Sequence, residues 1–278
     1  MSEASPSPPA PPPLRQDNDG NGLGTRLTDD LVMALRFYSR LPTGERPHEL
    51  PNLSRITLAL PFASLVIGIG PALAMLVLAA LGLAPLLAAT IGVVLQVLVT
   101  GAMAEDALAD AMDGLFGGQT VERRLEIMKD SRHGTFGVCA IVLFLAIRIT
   151  ALGAALAVHP AVGLGVWLAA LSLSRPFSIW LAVELPSARP TGASAAAGRV
   201  SKSAFGIGMG FSVLIAFAFC APATSFLALI LAVGVAGLVA MGWTRLCRRL
   251  VGGQTGDLIG ALQALIEAAT LCVLAGFI

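Results

Sequence analysis

Three aspartates recur at helical spacing within one apolar stretch of the sequence. Asp106, Asp110 and Asp113 lie between residues 105 and 114, and every residue between them is alanine, leucine or methionine. At about 100° per residue in a helix, Asp110 and Asp113 lie about 40° and 20° to either side of Asp106. The three carboxylates therefore share one narrow face, which repels itself unless a cation binds there.

The ligand types on this face indicate which cation it would hold. Carboxylate oxygens on a rigid helix suit Mg²⁺ or Mn²⁺, which take the rest of their ligands from water and phosphate. Zinc is disfavoured, since no Cys or His lies near enough in sequence to complete its ligand set. The alternative is a solvated helix end, but such a helix would carry polar residues on all sides. The residue types therefore favour Mg²⁺ or Mn²⁺ at this face.

A block of basic residues and glycines follows the aspartates. Its basic members are Arg123, Arg124, Lys129 and Arg132. The block ends at residues 134–137, where Thr135 stands between glycines just before an apolar segment. Arginine forms bidentate contacts with phosphate, and a helix start presents backbone N–H groups to an anion. The block predicts phosphate binding, although the basic residues that flank membrane helices would look the same.

Two further turns carry candidate site residues. Gly252-Gly253-Gln254-Thr255-Gly256-Asp257 precedes the last apolar segment, and Ala188-Arg189-Pro190 follows the fourth. Asp257 opens a helix, so it is either an N-cap or a further metal ligand. Carboxylates, arginines and glycine-rich turns together are typical of phosphoryl transfer, in which metal and cations neutralise phosphate charge and a carboxylate accepts a proton from the attacking hydroxyl.

Composition indicates how these residues are positioned. The chain is 56% hydrophobic and 13% charged, with a mean hydropathy of +0.81, which is too apolar for an ordinary soluble domain. Its apolar segments approach the roughly 20 residues that cross a bilayer. They are 56–81, 85–105, 136–158, 161–184, 204–222, 224–243 and 257–278. We predict an all-α, polytopic membrane helix bundle of about seven transmembrane helices, with lipid and not nucleic acid as its partner.

The connections between these segments predict the topology. Lys and Arg are concentrated before residue 56 and in 106–135, 185–203 and 244–256, whereas the alternate connections hold none. By the positive-inside rule, the N-terminus and the candidate site are cytoplasmic. We expect residues 1–26 to form a disordered Pro-rich tail and 27–278 a single catalytic domain. That domain should begin with an amphipathic interfacial helix, from the N-cap Thr28 to Leu41.

Two expectations concern the interior of the bundle. The second apolar segment has no obvious break before Asp113, so one helix is expected to carry the aspartates to the membrane rim and to end at Gly117. Arg148 and Glu267 are each about ten residues from the basic ends of their helices, or about 15 Å deep. Because buried charges in a membrane need partners, we expect Arg148 and Glu267 to pair. Arg175 is a third buried charge.

Five blocks occur in order on this scaffold. They are Phe37-Tyr38-Ser39-Arg40-Leu41-Pro42, Glu105-Asp106-x3-Asp110-x2-Asp113-Gly114, Met128-Lys129-Asp130-Ser131-Arg132-x-Gly134-Thr135-Phe136-Gly137, Ala188-Arg189-Pro190 and Gly253-x-Thr255-Gly256-Asp257-x2-Gly260-Ala261. In this order they resemble the cobalamin synthase family, also called adenosylcobinamide-GDP ribazoletransferase. The resemblance runs from about residue 30 to the end of the chain. The family's second block often opens with His where this chain has Glu105.

The resemblance implies a Mg²⁺-dependent enzyme of the bacterial inner membrane in vitamin B12 assembly. Such an enzyme joins adenosylcobinamide-GDP to alpha-ribazole or its 5′-phosphate, which gives adenosylcobalamin or its 5′-phosphate and releases GMP. Homo-oligomers, or association with other corrinoid-assembly enzymes, are further expectations.

The site residues are assigned on this basis. Asp106 and Asp110 are expected to bind the metal, Asp113 to be a ligand or the general base, and Asp257 to be a further ligand; Asp110 and Asp113 form the catalytic pair. Glu105 is a secondary candidate. The residues expected to bind substrate are Arg132, Lys129, Ser131, Thr135, Arg189 and Gly256.

Three other functions compete with this one. Asp110-x2-Asp113-Gly114 matches the opening of the CDP-alcohol phosphotransferase motif, but the rest of that motif is missing. A transporter of a metal or corrinoid would explain Arg148, Arg175 and Glu267, although transporter sites lie near the midplane and usually accompany internal repeats. A membrane scaffold without catalysis would leave the acidic stripe unexplained.

Overall fold

The computed structural model of the chain describes residues 23–44, 52–130, 132–189 and 200–278. Most of the predicted Pro-rich tail lies outside these ranges, as does Ser131, one of the residues predicted to bind substrate. Within the described ranges the regular structure is helical, apart from an isolated bridge between Ser187 and Gln254. The predicted all-α class is confirmed.

The described residues form eleven helices. They are α1 Leu23–Tyr38, α2 Leu53–Ala80, α3 Pro85–Thr100, α4 Met103–Gly117, α5 Val121–Ile127, α6 Thr135–Val158, α7 Pro160–Ser178, α8 Trp180–Glu184, α9 Lys202–Cys220, α10 Phe226–Leu250 and α11 Gly256–Ala275. Several begin at side chains that accept a hydrogen bond from the first turn, as N-cap chemistry predicts. These caps are Asn52, Thr120, Ser201, Ser225 and Thr255.

Six spans in the described residues are long and apolar enough to cross a membrane, and the bent pair α3–α4 makes a seventh if it is counted as one span. Five of the six are single helices, namely α2, α6, α9, α10 and α11, and the sixth is α7 with its short continuation α8. The predicted multi-pass membrane bundle is therefore confirmed. The first residues of α1 precede the predicted N-cap Thr28, and the helix ends at Tyr38 rather than Leu41.

The prediction of one continuous helix through the second apolar segment is wrong. The chain bends by 83° between α3 and α4. The cause is two residues with left-handed backbone, Gly101 at φ 66° and Ala102 at φ 61°, a conformation that alanine adopts rarely. The Val99 carbonyl near the end of α3 accepts a hydrogen bond of 2.7 Å from the backbone N–H of Arg40. The segment after α1 thereby holds the bend that redirects the acidic helix.

The buried charges of the bundle form one group. Nε of Arg148 lies 2.8 Å from Oε1 of Glu267, so the predicted pair is confirmed. The same guanidinium is 2.6 Å from Oε1 of Glu105, and it stacks on the rings of Phe144 and Trp167. Arg148 thus contacts two carboxylates, and the buried Arg175 interacts electrostatically with both as a second cation. Glu105, a secondary site candidate from the sequence, is part of this structural group.

Candidate active site

The acidic helix α4 packs closely against α11. A Cβ atom at Gly260 of α11 would lie only 2.5 Å from the Cβ of Ala107 of α4. A larger residue at either position would separate the helices. This close approach brings Asp257, in the first turn of α11, to the same cleft as Asp106.

Two of the three predicted aspartates converge on a histidine. Oδ1 of Asp106 lies 3.8 Å from Nε2 of His133, and Oδ1 of Asp110 lies 3.6 Å from Nδ1 of the same ring. One potential ligand atom from each of these residues lies within 4.8 Å of the other two. The side chain of Asp106 is 65% exposed and that of Asp110 is 17% exposed. This acid–histidine cluster, Asp106, Asp110 and His133, is therefore accessible from one side.

His133 is the site residue that the sequence assignment missed. It lies inside the third sequence block, between Arg132 and Gly134. It is too far along the chain from the aspartates for helical spacing to predict that they meet. The fold brings it there because the segment before α6 turns back over α4. Zinc is disfavoured only by the residues near in sequence, and the fold brings one histidine close to the aspartates.

Asp113 has a different environment from the other two aspartates. Its Oδ2 accepts a hydrogen bond of 2.6 Å from the N–H of Gly134, and its Oδ1 accepts one of 2.9 Å from the N–H of Gly137. These N–H groups are at the start of α6, where helical donors lack partners and the helix dipole favours a negative charge. The geometry therefore favours a positioning role for Asp113 over the predicted role as metal ligand or general base.

The two glycines that contact Asp113 leave no room for a side chain. A Cβ atom at Gly134 would lie 2.6 Å from Oδ1 of Asp113. One at Gly137 would overlap the same carboxylate and lie 3.0 Å from the backbone oxygen of Ala109. The Gly-x-x-Gly pattern of residues 134–137 is thus explained by the contact between α4 and α6.

We expect Gly137→Ala to separate α4 from α6. The added methyl group should destabilise the protein by about 1–3 kcal/mol, as overpacking does, and lower turnover by moving His133. Thermal unfolding of the purified protein and its turnover would measure both effects. Gly210→Ala in α9 is the matched control, because a Cβ atom there meets nothing within 4 Å. Equal behaviour of the two variants would contradict the packing role of Gly137.

The last two sequence blocks meet at the other wall of the site. The N–H of Gln254 donates to the Pro186 carbonyl at 2.8 Å, and the N–H of Ala188 donates to the Gln254 carbonyl at 2.9 Å. This bridge places the Arg189 guanidinium 3.8 Å from Oδ2 of Asp257. Arg189 also donates a hydrogen bond of 3.0 Å to the Leu125 carbonyl of α5.

The remaining residues predicted to bind substrate lie around this site, with less definite contacts. Arg132 forms a two-point ion pair with Asp130 and is 86% exposed. Its guanidinium lowers the pKa of the Asp130 carboxyl to about 2. Lys129 and Thr135 are exposed. Gly256, the first residue of α11, lines the cleft between α1, α4 and α11.

Arg124, from the basic block, has a structural environment. Its guanidinium donates hydrogen bonds to the backbone oxygen of Leu115 at 3.3 Å and of Leu250 at 3.0 Å. It therefore ties the end of α4 to the end of α10, where each helix leaves carbonyl groups without partners.

A model of the cobalamin-5-phosphate synthase family matches residues 30–275 of the chain. The chain belongs to this family. Adenosylcobinamide-GDP ribazoletransferases from three bacteria are among its relatives. That of Azorhizobium caulinodans is 43% identical over 251 residues, which cover 89% of this chain and 95% of the relative. That of Rhizobium johnstonii is 40% identical, covering 88% and 96%, and that of Bradyrhizobium diazoefficiens is 40% identical, covering 89% and 94%.

Membership of the cobalamin-5-phosphate synthase family confirms two predictions. The resemblance identified from the five sequence blocks is correct, and the chain is a transferase of cobalamin biosynthesis, active in nucleotide-loop assembly. The broken pair α3–α4 and the charges at mid-bundle would also suit a transporter, but the family match decides against that reading. No solved structure matches the chain significantly.

The acid–histidine cluster fits a divalent cation by its donor set. Carboxylate oxygens suit Mg²⁺ and Mn²⁺, and imidazole is also a ligand of Mn²⁺ and Zn²⁺. Three protein ligands leave positions for water and for phosphate oxygens, which Mg²⁺ normally takes from its substrate. Asp113 and Asp257 lie outside this cluster. Mg²⁺ therefore fits the residues and stays a prediction, as does the role of Asp257 as a ligand.

Proposed function

We propose that this enzyme joins adenosylcobinamide-GDP to alpha-ribazole or its 5′-phosphate in a Mg²⁺-dependent reaction. The products are adenosylcobalamin or its 5′-phosphate, and GMP. The observation that carries the proposal is the acid–histidine cluster beside a cleft, on the scaffold of a cobalamin-5-phosphate synthase. The names of the relatives supply the substrates.

The proposed reaction is a phosphoryl transfer with a balanced exchange of bonds. A hydroxyl oxygen of alpha-ribazole attacks the phosphorus attached to cobinamide, and the bond from that phosphorus to the bridging pyrophosphate oxygen breaks. GMP leaves with the bridging oxygen. A bound divalent ion would neutralise the charge that develops on the phosphate oxygens.

The protein's own residues have distinct proposed roles. Asp106, Asp110 and His133 hold the ion. In this proposal Asp257 is the general base and replaces Asp113 in that role, rather than being a metal ligand. It accepts the proton of the attacking hydroxyl, because it lines the cleft from the opposite helix while both oxygens of Asp113 already accept hydrogen bonds. Arg189 contacts Asp257 and holds its carboxylate in place. The exposed guanidinium of Arg132 is free to exchange Asp130 for a pyrophosphate, since exposed ion pairs are weak.

Asp113→Asn tests whether Asp113 positions the site or takes part in the chemistry. Gly134 and Gly137 donate to different oxygens of Asp113, so asparagine would turn its NH₂ group toward one of these N–H donors, and the segment that carries His133 should shift. We expect weaker apparent affinity for Mg²⁺ and a loss of turnover of about 10- to 100-fold, the size seen when an orienting partner of a metal ligand is removed. Saturating Mg²⁺ should restore most of the turnover; no recovery would indicate a direct chemical role.

The orientation in the membrane is a further part of the proposal. We place the basic end of the bundle, with the N-terminus and the active site, in the cytoplasm of a bacterial inner membrane. Alkaline phosphatase fused to the C-terminus should then be active, and the same fusion after residue 130 inactive. The reverse pattern would contradict this orientation. Homo-oligomers and association with other corrinoid-assembly enzymes stay predictions.

Product formation tests the proposed function directly. The protein, purified in nanodiscs, is supplied with adenosylcobinamide-GDP and alpha-ribazole, with Mg²⁺ or with excess EDTA. We expect equal amounts of GMP and corrinoid product with Mg²⁺, and neither with EDTA. Absence of product from a correctly folded protein at any divalent ion concentration would overturn the proposal.

A further inference from the structure

A cleft of about 290 Å³ opens beside the acid–histidine cluster, between α1, α4 and the start of α11. Its walls are mainly apolar. They include Phe37, Tyr38, Leu53, Met103 and Ile259, and Gln263 adds a side-chain amide. Among the described residues, Asp106 and Asp257 are the charged ones that line it.

The volume and chemistry of the cleft restrict its occupant. At about 300 Å³ it is at the lower limit of small-molecule sites, so it suits a flat bicyclic ring and is too small for a corrin macrocycle with its side chains. Asp106 and Asp257 could accept hydrogen bonds from the N–H groups of guanine, but the O6 and N7 acceptors of that base would face mainly apolar walls, which is costly. Dimethylbenzimidazole, the base of alpha-ribazole, has two methyl groups and one free ring nitrogen.

One buried polar side chain in the cleft matches that nitrogen. Gln263 is only 5% exposed, and its side-chain amide has no hydrogen-bond partner within the described part of the protein. The amide atoms of Gln263 are not among the fully buried unpartnered atoms of the described residues, and the residue lines the cleft, so a ligand in the cleft can form a hydrogen bond with it. The amide N–H of Gln263 can donate to a single ring nitrogen, whereas the apolar walls contact the methyl groups.

We propose that this cleft binds the dimethylbenzimidazole base of the acceptor nucleoside, with Gln263 donating a hydrogen bond to the free ring nitrogen. The inference rests on the proposed function and extends it to the location of one substrate. The ribose of the acceptor then lies at the mouth of the cleft, beside Asp257 and Asp106. The larger corrinoid substrate approaches the cluster from outside the cleft.

Two variants and one inhibitor test the assignment. Gln263→Leu removes the donor and should raise KM for alpha-ribazole about tenfold, the equivalent of one hydrogen bond of about 1.4 kcal/mol. Ile259→Phe fills the cleft and should raise the KM for alpha-ribazole at least as much. The same variant should raise KM less for a ribonucleoside of benzimidazole without the methyl groups, because that base is smaller. KM for adenosylcobinamide-GDP should stay within about twofold in both. With the wild type, free dimethylbenzimidazole should inhibit competitively against alpha-ribazole but not against adenosylcobinamide-GDP.

The outcomes separate this inference from the proposed function. The control is Leu214→Phe, which adds the same ring at a residue of α9 that is 65% exposed and should leave both KM values unchanged. An increase in KM for adenosylcobinamide-GDP alone would assign the cleft to the corrinoid or to guanine. Unchanged KM values in both cleft variants would point to lipid and overturn the inference. A wild type that releases no GMP would contradict the proposed function instead.

Discussion

Replacing Asp110 with asparagine is expected to lower turnover by about 10³-fold or more, equivalent to about 4 kcal/mol of transition-state stabilisation. The side chain is 17% exposed and lies 3.6 Å from His133, at the inner side of the acid–histidine cluster. Loss of its charge removes a ligand that solvent cannot easily replace. The measurement is the rate of GMP release at saturating Mg²⁺, in protein with an unchanged unfolding temperature.

A matched variant separates the site from general charge effects. Glu122→Gln also removes one negative charge, from an exposed position in the first turn of α5, and should keep near-normal turnover. Near-normal turnover in Asp110→Asn at limiting Mg²⁺ would show that the metal is held elsewhere.

The second large effect concerns stability rather than chemistry. Arg148→Met should destabilise the protein by about 3–5 kcal/mol, because the buried carboxylates of Glu105 and Glu267 both lose the guanidinium that contacts them. These side chains are 7% and 1% exposed. The measurement is the unfolding temperature in detergent, together with the yield of monodisperse protein.

A double variant tests the ionic origin of this effect. Arg148→Met combined with Glu267→Gln removes one charge of each sign, so it should be more stable than Arg148→Met alone. The destabilisation of the double variant could instead equal the sum of the two single-variant destabilisations. That result would show that Arg148 acts mainly by packing on Phe144 and Trp167.

Local features of the site could be predicted from the sequence. Asp106 and Asp110 are four residues apart in a helix, and this spacing alone places them on one face whatever the rest of the fold does. The pair of Arg148 and Glu267 was also predictable, since two opposite charges at similar depth in a membrane have few other partners.

Features that depend on tertiary contacts could not be predicted in the same way. The bend before α4 requires left-handed backbone at Ala102, for which alanine gives no sequence signal. Asp113 shares the helix face of the other aspartates, but the N–H groups of Gly134 and Gly137 take both its oxygens. His133 reaches the cluster only because the segment that carries it folds over α4.

Binding of Mn²⁺ to the purified enzyme, followed by electron paramagnetic resonance, tests the central claim most directly. The acid–histidine cluster should bind Mn²⁺ in place of Mg²⁺ without any substrate present. Asp106→Asn and His133→Gln should each weaken Mn²⁺ binding at least tenfold, or about 1.4 kcal/mol, whereas Glu122→Gln should bind as the wild type does. Unchanged Mn²⁺ affinity in Asp106→Asn and His133→Gln would contradict the assignment of this cluster as the metal site.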